Sequence, residues 1–213
     1  DYGEAHNNLG NALRELGKLE EALASYKRAL DLKPDFAEAH SNLGNVLGEL
    51  NYLTDAVKSH RHAISLNPQN EQLAANFAYS LETASFTSVD DNLYQDLLYL
   101  LERPSVQPSY ITAPIITALR IHPDFSPILE TVHSAQQDGE VPYSTIAEKL
   151  SAIPLFLRLL ELSPVGDLEM ERMLTSLRRV MLAETIKRKV GNKVSPFSAA
   201  LAHNCFTNEY VFA

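Results

Sequence analysis

Apolar residues recur with helical spacing along the first part of the chain. Leu9, Leu13 and Leu16 lie at i, i+4 and i+7, which aligns them in one stripe on a helix. Gly17 stands where this helix ends, and Pro34 follows the next helix and stops it. Helices are predicted on this basis over residues 4–16, 20–32, 38–50 and 54–66. The pattern therefore predicts two antiparallel helical hairpins.

The two hairpins repeat each other. Of the 34 positions in residues 3–36, 16 are identical in residues 37–70. A third, degenerate unit over 71–103 keeps the spacing in its first helix and loses it after the loop "SFTSVDD". One hairpin cannot bury its own apolar faces, whereas stacked hairpins can. The expected architecture of residues 1–103 is a short right-handed solenoid with a concave side.

The second half of the chain loses the 34-residue period after Pro104 but remains helical in pattern. No alternating strand pattern of convincing length occurs in it. The fold class is therefore predicted to be all-α, with a second helical region over 104–213. Its expected helical segments are residues 109–121, 124–137, 143–162, 167–190 and 196–212.

The stretch "AHNNLGNALRELGKLEEALASYKRALDLKPDFAEAHSNLGN" resembles the tetratricopeptide repeat family. Its amino-acid sequence most resembles the repeats that accompany protein O-GlcNAc transferases. It is also similar to bacterial repeat arrays fused to other enzymes. The resemblance covers residues 3–68 well and 70–103 loosely. It implies a superhelix that binds a protein or an extended peptide on its concave face and is not itself catalytic.

Six side chains of the first helices are candidates for the peptide-binding face. Asparagine carries both a donor and an acceptor, so it can hold the backbone of an extended peptide whatever its side chains. The alternative is that these amides belong to the repeat consensus and bond between neighbouring helices. The candidates are Asn8, Asn11, Asn42, Asn45, Asn76 and Tyr79.

Another version of the family holds a terminal carboxylate with lysines on its first helices. The corresponding residues here, Asn7, Ser41 and Ala75, are uncharged, which argues against carboxylate capture.

A second resemblance covers roughly residues 148–213, including "DLEMERMLTSLRRVMLAE" and "FSAALAHNCFTNEYVFA". This region is similar to a helical segment that precedes the catalytic domain in bacterial fusions of tetratricopeptide repeats with S-adenosylmethionine-dependent methyltransferases. The alternative function is therefore the recognition or regulatory fragment of a larger methyltransferase. A glycosyltransferase is the second choice for that larger enzyme.

Composition excludes several classes of partner. The net charge is −9, and residues 71–166 carry 12 acidic and 4 basic groups, which would repel nucleic-acid phosphates. No apolar run is long enough to span a bilayer. A single cysteine, Cys205, permits no internal disulfide, which favours a cytoplasmic location. No oligomeric state is predicted.

The sequence contains no recognisable catalytic or cofactor-binding motif. The chain has no glycine pair spaced as G-x-G and no G-x-S-x-G turn. His60 and His62 are two residues apart on a helix, about 200° around its axis, so they cannot share a metal ion. We therefore expect no cofactor, no metal site and no catalytic activity in this chain.

Overall fold

The computed structural model describes residues 2–84, 91–131, 143–162 and 170–175. Helices and short connections make up these ranges, and no strand occurs in them. The predicted all-α class is confirmed. In chain order the helices are α1 (Tyr2–Glu15), α2 (Leu19–Leu32), α3 (Ala37–Glu49), α4 (Leu53–Leu66), α5 (Glu71–Thr83), α6 (Asp91–Leu101), α7 (Pro108–Arg120), α8 (Tyr143–Ser151) and α9 (Pro154–Leu162). Residues 126–131 and 170–175 are helical as well.

The helices of the first part of the chain form successive hairpins. Helix α1 packs on α2, and α3 packs on α4. Helix α2 also packs on α3, and α4 packs on α5, so each hairpin contacts the next first helix. The two predicted hairpins are therefore present, and the third, degenerate repeat stays a prediction.

Small residues let the two helices of each hairpin approach. A methyl group built on Gly10 would lie 2.6 Å from Tyr26 Cε1, and one built on Gly44 would lie 2.7 Å from His60 Nε2. Only glycine tolerates an aromatic ring at that distance without a shift of the ring. Ala22 is fully buried beside this contact. The close approach of the two helices in each hairpin therefore depends on these glycines.

The turn inside each hairpin uses a left-handed residue. Gly17 has φ 73° and Asn51, its counterpart 34 residues later, has φ 64°. The N–H of the following residue donates to a carbonyl five residues back, at 2.9 Å from Lys18 to Leu13 and 2.8 Å from Tyr52 to Leu47. This geometry terminates α1 and α3.

The apolar stripe of α1 is only partly buried. Leu9 is 49% exposed and Leu16 is 72% exposed, whereas Leu13 packs against a buried cluster that includes Tyr26. The counterpart of Leu9 in α5, Phe77, is fully buried. The counterpart in α3, Leu43, is half-buried, so burial of this position increases from α1 through α3 to α5.

Contacts divide the chain into two compact units. The first comprises Asp1–Ser85 and Glu102–Pro114, and the second comprises Phe86–Leu101 and Ile115–Ala213. Helix α6 thus lies in a different compact unit from α5, although the predicted degenerate repeat contains both helices. The limit between residues 103 and 104 stays a prediction from the sequence.

The second unit has its own core. The rings of Phe125 and Phe156 lie 5.1 Å apart, and both side chains are fully buried. The Tyr94 hydroxyl accepts a hydrogen bond from the backbone N–H of Leu155 at 3.0 Å. Pro154 begins α9, where its missing N–H leaves no helical hydrogen bond unmade. The segment over 143–162 is therefore two helices rather than one.

Several sequence expectations lie wholly or mostly outside the described residues. These are the loop "SFTSVDD", the helical segments over 167–190 and 196–212, and most of the region similar to methyltransferase fusions. No helix among the described residues combines the length and apolar character that crossing a membrane requires.

Candidate functional site

The six candidate residues lie on three successive first helices. Two are on α1, two on α3 and two on α5, and α3 contacts both α1 and α5. Three of them are exposed and three are half-buried, so all six reach the surface at least in part. The exposed residues are Asn8, Asn11 and Tyr79, and the half-buried ones are Asn42, Asn45 and Asn76.

Two of the amides are partly used to join neighbouring helices. Asn42 Nδ2 donates to Asn7 Oδ1 at 3.0 Å, and Asn76 Nδ2 donates to Ser41 Oγ at 3.0 Å. Asn76 Oδ1 also accepts from Gln72 Nε2 at 3.0 Å within α5. The alternative role predicted for the asparagines, bonding between neighbouring helices, thus applies to Asn42 and Asn76.

The remaining candidates differ in how far they are engaged. The side chains of Asn8 and Asn45 make no hydrogen bond with any described residue. Asn11 Oδ1 accepts from the Tyr26 hydroxyl at 2.7 Å, which leaves its NH₂ group available. Burial raises the pKa of Tyr26, so this hydroxyl stays a donor at neutral pH. The Tyr79 ring, 58% exposed, meets the edge of Tyr110 at 6.1 Å between centroids.

An ion pair that the sequence analysis missed crosses the same row of helices. Arg14 Nε donates to Glu49 Oε1 at 2.7 Å, which links the last turns of α1 and α3. Their side chains are 39% and 38% exposed, so solvent screens the pair. A signal for it exists, because Glu49 follows Arg14 by one repeat plus one residue, as Asn42 follows Asn7.

A cleft of about 360 Å³ opens beside His60 in the first unit. We call it the His60 cleft, and its polar and aromatic lining includes Asn45, His60, Tyr79, Ser80 and Thr83. Gly44 and Gly48 contribute backbone to its wall, and Arg14 and Glu49 border it. The repeat pattern indicates Asn45 and Tyr79 but not the cleft, because residues of α3, α4 and α5 line it together.

The His60 ring is buried and neutral. It is 1% exposed and stacks on Phe77, with ring centroids 6.5 Å apart. Its Nδ1 has no hydrogen-bond partner in the described part of the chain. Burial lowers the pKa of His60 from its usual 6.5 to about 4. The ring is therefore uncharged at neutral pH, and almost none of its surface is open to the cleft.

A pair of histidines also meets on α3 and α4, with His40 and His62 centroids 4.3 Å apart. His40 Nε2 is hydrogen-bonded to the Pro34 carbonyl at 2.8 Å. The described residues contain no group of three or more histidine, cysteine or carboxylate side chains that could hold a metal ion. The pair does not amount to a metal centre.

Comparisons with known proteins identify the repeats. Residues 10–51 match a family model described as TPR repeat, and residues 37–70 match one described as tetratricopeptide repeat. Residues 10–70 thus carry tetratricopeptide repeats, and such domains generally bind proteins or peptides. Neither match reaches the C-terminal region, so its similarity to methyltransferase fusions stays a prediction.

Among solved structures, the chain is similar to the "Crystal structure of MamA protein", at 13% sequence identity and a TM-score of 0.38. The alignment covers 91% of this chain and 98% of that chain. The comparison with curated proteins gave no match.

Proposed function

We propose that the repeats of this chain bind an extended peptide segment of a partner protein along the row formed by α1, α3 and α5. One observation carries the proposal: hydrogen-bonding capacity on this row remains unused within the described residues. The side chains of Asn8 and Asn45 make no hydrogen bond there, and Asn42 Nδ2 donates one while Asn42 Oδ1 accepts none from a described residue. The row would be the concave side of the solenoid.

Free amides suit an extended backbone. A peptide strand presents N–H and C=O groups along both edges, and each asparagine side chain can pair with either kind of group. On this row the charges of Arg14 and Glu49 pair with each other. Asn7 and Ser41 are uncharged and buried, so they supply no cation for a terminal carboxylate. An internal peptide segment fits this row better than a chain terminus.

The test is an unbiased peptide selection on the whole chain. Random peptides displayed on phage are selected against the immobilised protein, and the enriched sequences are measured by fluorescence anisotropy. Asn8→Ala and Asn45→Ala should each weaken binding about fivefold, the expected effect of one lost hydrogen bond. These two residues are preferred to Asn42, whose side chain also joins α3 to α1.

The matched control is Asn67→Ala, which removes an exposed asparagine side chain at the end of α4, off the row. Its affinity for the selected peptides should equal that of the unmodified chain. A selection that enriches no peptide, or peptides whose affinity neither Asn8→Ala nor Asn45→Ala changes, would refute the proposal.

A further inference from the structure

The first repeat contains a tyrosine where the second repeat contains a histidine. Tyr26 covers Gly10 and donates its hydroxyl to Asn11 Oδ1 at 2.7 Å. One period later, His60 covers Gly44, and Asn45 takes the place of Asn11. The imidazole has no hydroxyl to reach an amide, so Asn45 lacks the bond that its counterpart makes.

The space next to this exchange is the His60 cleft. Its volume of about 360 Å³ lies at the low end of ligand-binding clefts, a size that suits one side chain rather than a cofactor. The neutral imidazole of His60 borders the cleft but is only 1% exposed, whereas the ring of Tyr79 lines it with accessible surface. The accessible Tyr79 ring favours an aromatic guest, because ring pairs gain from stacking and edge contacts.

The unused amide narrows the chemistry of that guest. Asn45 makes no hydrogen bond with any described residue and lies in the cleft lining. Ser80 donates its hydroxyl to the Phe77 carbonyl at 2.8 Å, and Thr83 donates to the Ser80 carbonyl at 3.1 Å. These two hydroxyl donors are occupied, whereas the Asn45 amide is unused and stands at the repeat position from which Asn11 accepts the Tyr26 hydroxyl.

We propose that the His60 cleft binds a tyrosine side chain of the partner peptide, whose hydroxyl donates to Asn45 Oδ1 as Tyr26 donates to Asn11. The partner thus supplies the phenol that the second repeat lacks. This inference rests on the proposed peptide-binding function and adds a side-chain preference to it.

The direct test uses para-cresol, the side-chain analogue of tyrosine, with the whole ¹⁵N-labelled chain. Para-cresol should shift the amide signals of Gly44 and Gly48, with a dissociation constant on the order of millimolar. Toluene has the same ring without the hydroxyl, and it should bind about fivefold more weakly. Absent shifts at both glycines, or equal affinity for the two probes, would overturn the inference.

Two variants locate the bound phenol. Asn45→Ala should reduce the affinity for para-cresol to that for toluene, and Asn45 makes no described bond whose loss would disturb the fold. His60→Tyr should abolish binding, because a tyrosine at this position supplies its own hydroxyl to Asn45. If His60→Tyr does not fold, Asn45→Ala decides alone. Unchanged para-cresol binding in Asn45→Ala would refute the assigned partner atom.

The peptides from the selection separate this inference from the proposed function. They should contain a tyrosine, and its replacement by phenylalanine should weaken binding about fivefold. The selected peptides could bind through Asn8 and Asn45 without containing a tyrosine, and para-cresol could cause no shifts. That result would refute tyrosine binding in the His60 cleft and leave the proposed function intact. Para-cresol binding without any peptide binding would refute the function and leave the cleft.

Discussion

Tyr26 and His60 occupy the same position of successive repeats but meet different demands. Each ring lies less than 3 Å from the point where a methyl group on the glycine beneath it would stand, so both fill the same contact inside a hairpin. Only the tyrosine satisfies its polar atom, through Asn11. His60 leaves Nδ1 without a partner in the described residues and carries a lowered pKa. The second hairpin is therefore the one whose stability depends on this titration.

His60 should make the chain less stable as the pH falls. Its pKa is about 4 in the folded state against 6.5 for an ordinary histidine, because burial disfavours the charged ring. Between these values the unfolded chain binds a proton that the folded chain does not. The free energy of unfolding should therefore decrease by about 3 kcal/mol from pH 7 to below pH 4 through this residue. Urea unfolding across this range measures the decrease.

His60→Tyr isolates that contribution from other titrating groups. The variant places the residue of the first repeat into the second, so it should fold and lose the titration. The difference in unfolding free energy between His60→Tyr and the unmodified chain should grow as the pH falls from 7 to 4. Parallel stability curves for the two proteins would contradict the assignment to His60.

Gly17 offers a test of backbone strain without a packing change. A methyl group on Gly17 would contact nothing within 4 Å, but its φ of 73° is unfavourable for alanine. Gly17→Ala should lower the free energy of unfolding by about 1–2 kcal/mol. Gly48→Ala is the matched control, because its methyl group is also free of contacts and its backbone is helical. That control should be neutral or stabilising by up to about 1 kcal/mol in urea unfolding.

At the scale of helices, the hairpins and their ends could be predicted from the sequence, because periodicity, glycine and proline act locally. The contacts between hairpins follow a different rule. Asn7 pairs with Asn42, Ser41 with Asn76 and Arg14 with Glu49, each at a separation of 35 residues. The sequence comparison at 34 residues aligns equivalent positions rather than contacting ones. It therefore predicted the row of asparagines. It missed the ion pair, and it missed that Asn42 and Asn76 each use part of their side-chain hydrogen-bonding capacity between helices.

The repeat position of Leu9 should show how burial depends on a neighbouring hairpin. Leu9 is 49% exposed in α1, Leu43 is half-buried in α3, and Phe77 is fully buried in α5. Alanine should cost less than about 1 kcal/mol at Leu9 and about 3–5 kcal/mol at Phe77, with Leu43 between them. Urea unfolding of the three variants measures the series. Equal costs at the three positions would mean that stacking of hairpins does not control burial.

At the scale of the whole molecule, the chain leaves the first unit after Ser85 and returns to it at Glu102. The sequence could not predict that α6 belongs to the second unit, because the amphipathic pattern of α6 would also suit a repeat helix of the first unit. What ties the returning segment to the first unit is a cluster of polar contacts around Glu71. Ser105 Oγ donates to Glu71 Oε2 at 2.6 Å, and Arg103 Nη1 lies 3.5 Å from Glu71 Oε1.

Ser105→Ala should loosen the returning segment. The Ser105 hydroxyl is the main reason that the pKa of Glu71 is lowered, so its removal should raise that pKa toward the ordinary value. The Ser105 amide, which donates to Glu71 Oε2 at 3.4 Å, should also exchange its hydrogen faster. A carboxyl NMR titration and amide hydrogen exchange on the whole chain measure both effects. Ser65→Ala is the control, because Ser65 donates only to the His62 carbonyl within α4 among the described contacts. If Glu71 titrates identically in Ser105→Ala and Ser65→Ala, this hydroxyl does not hold the returning segment.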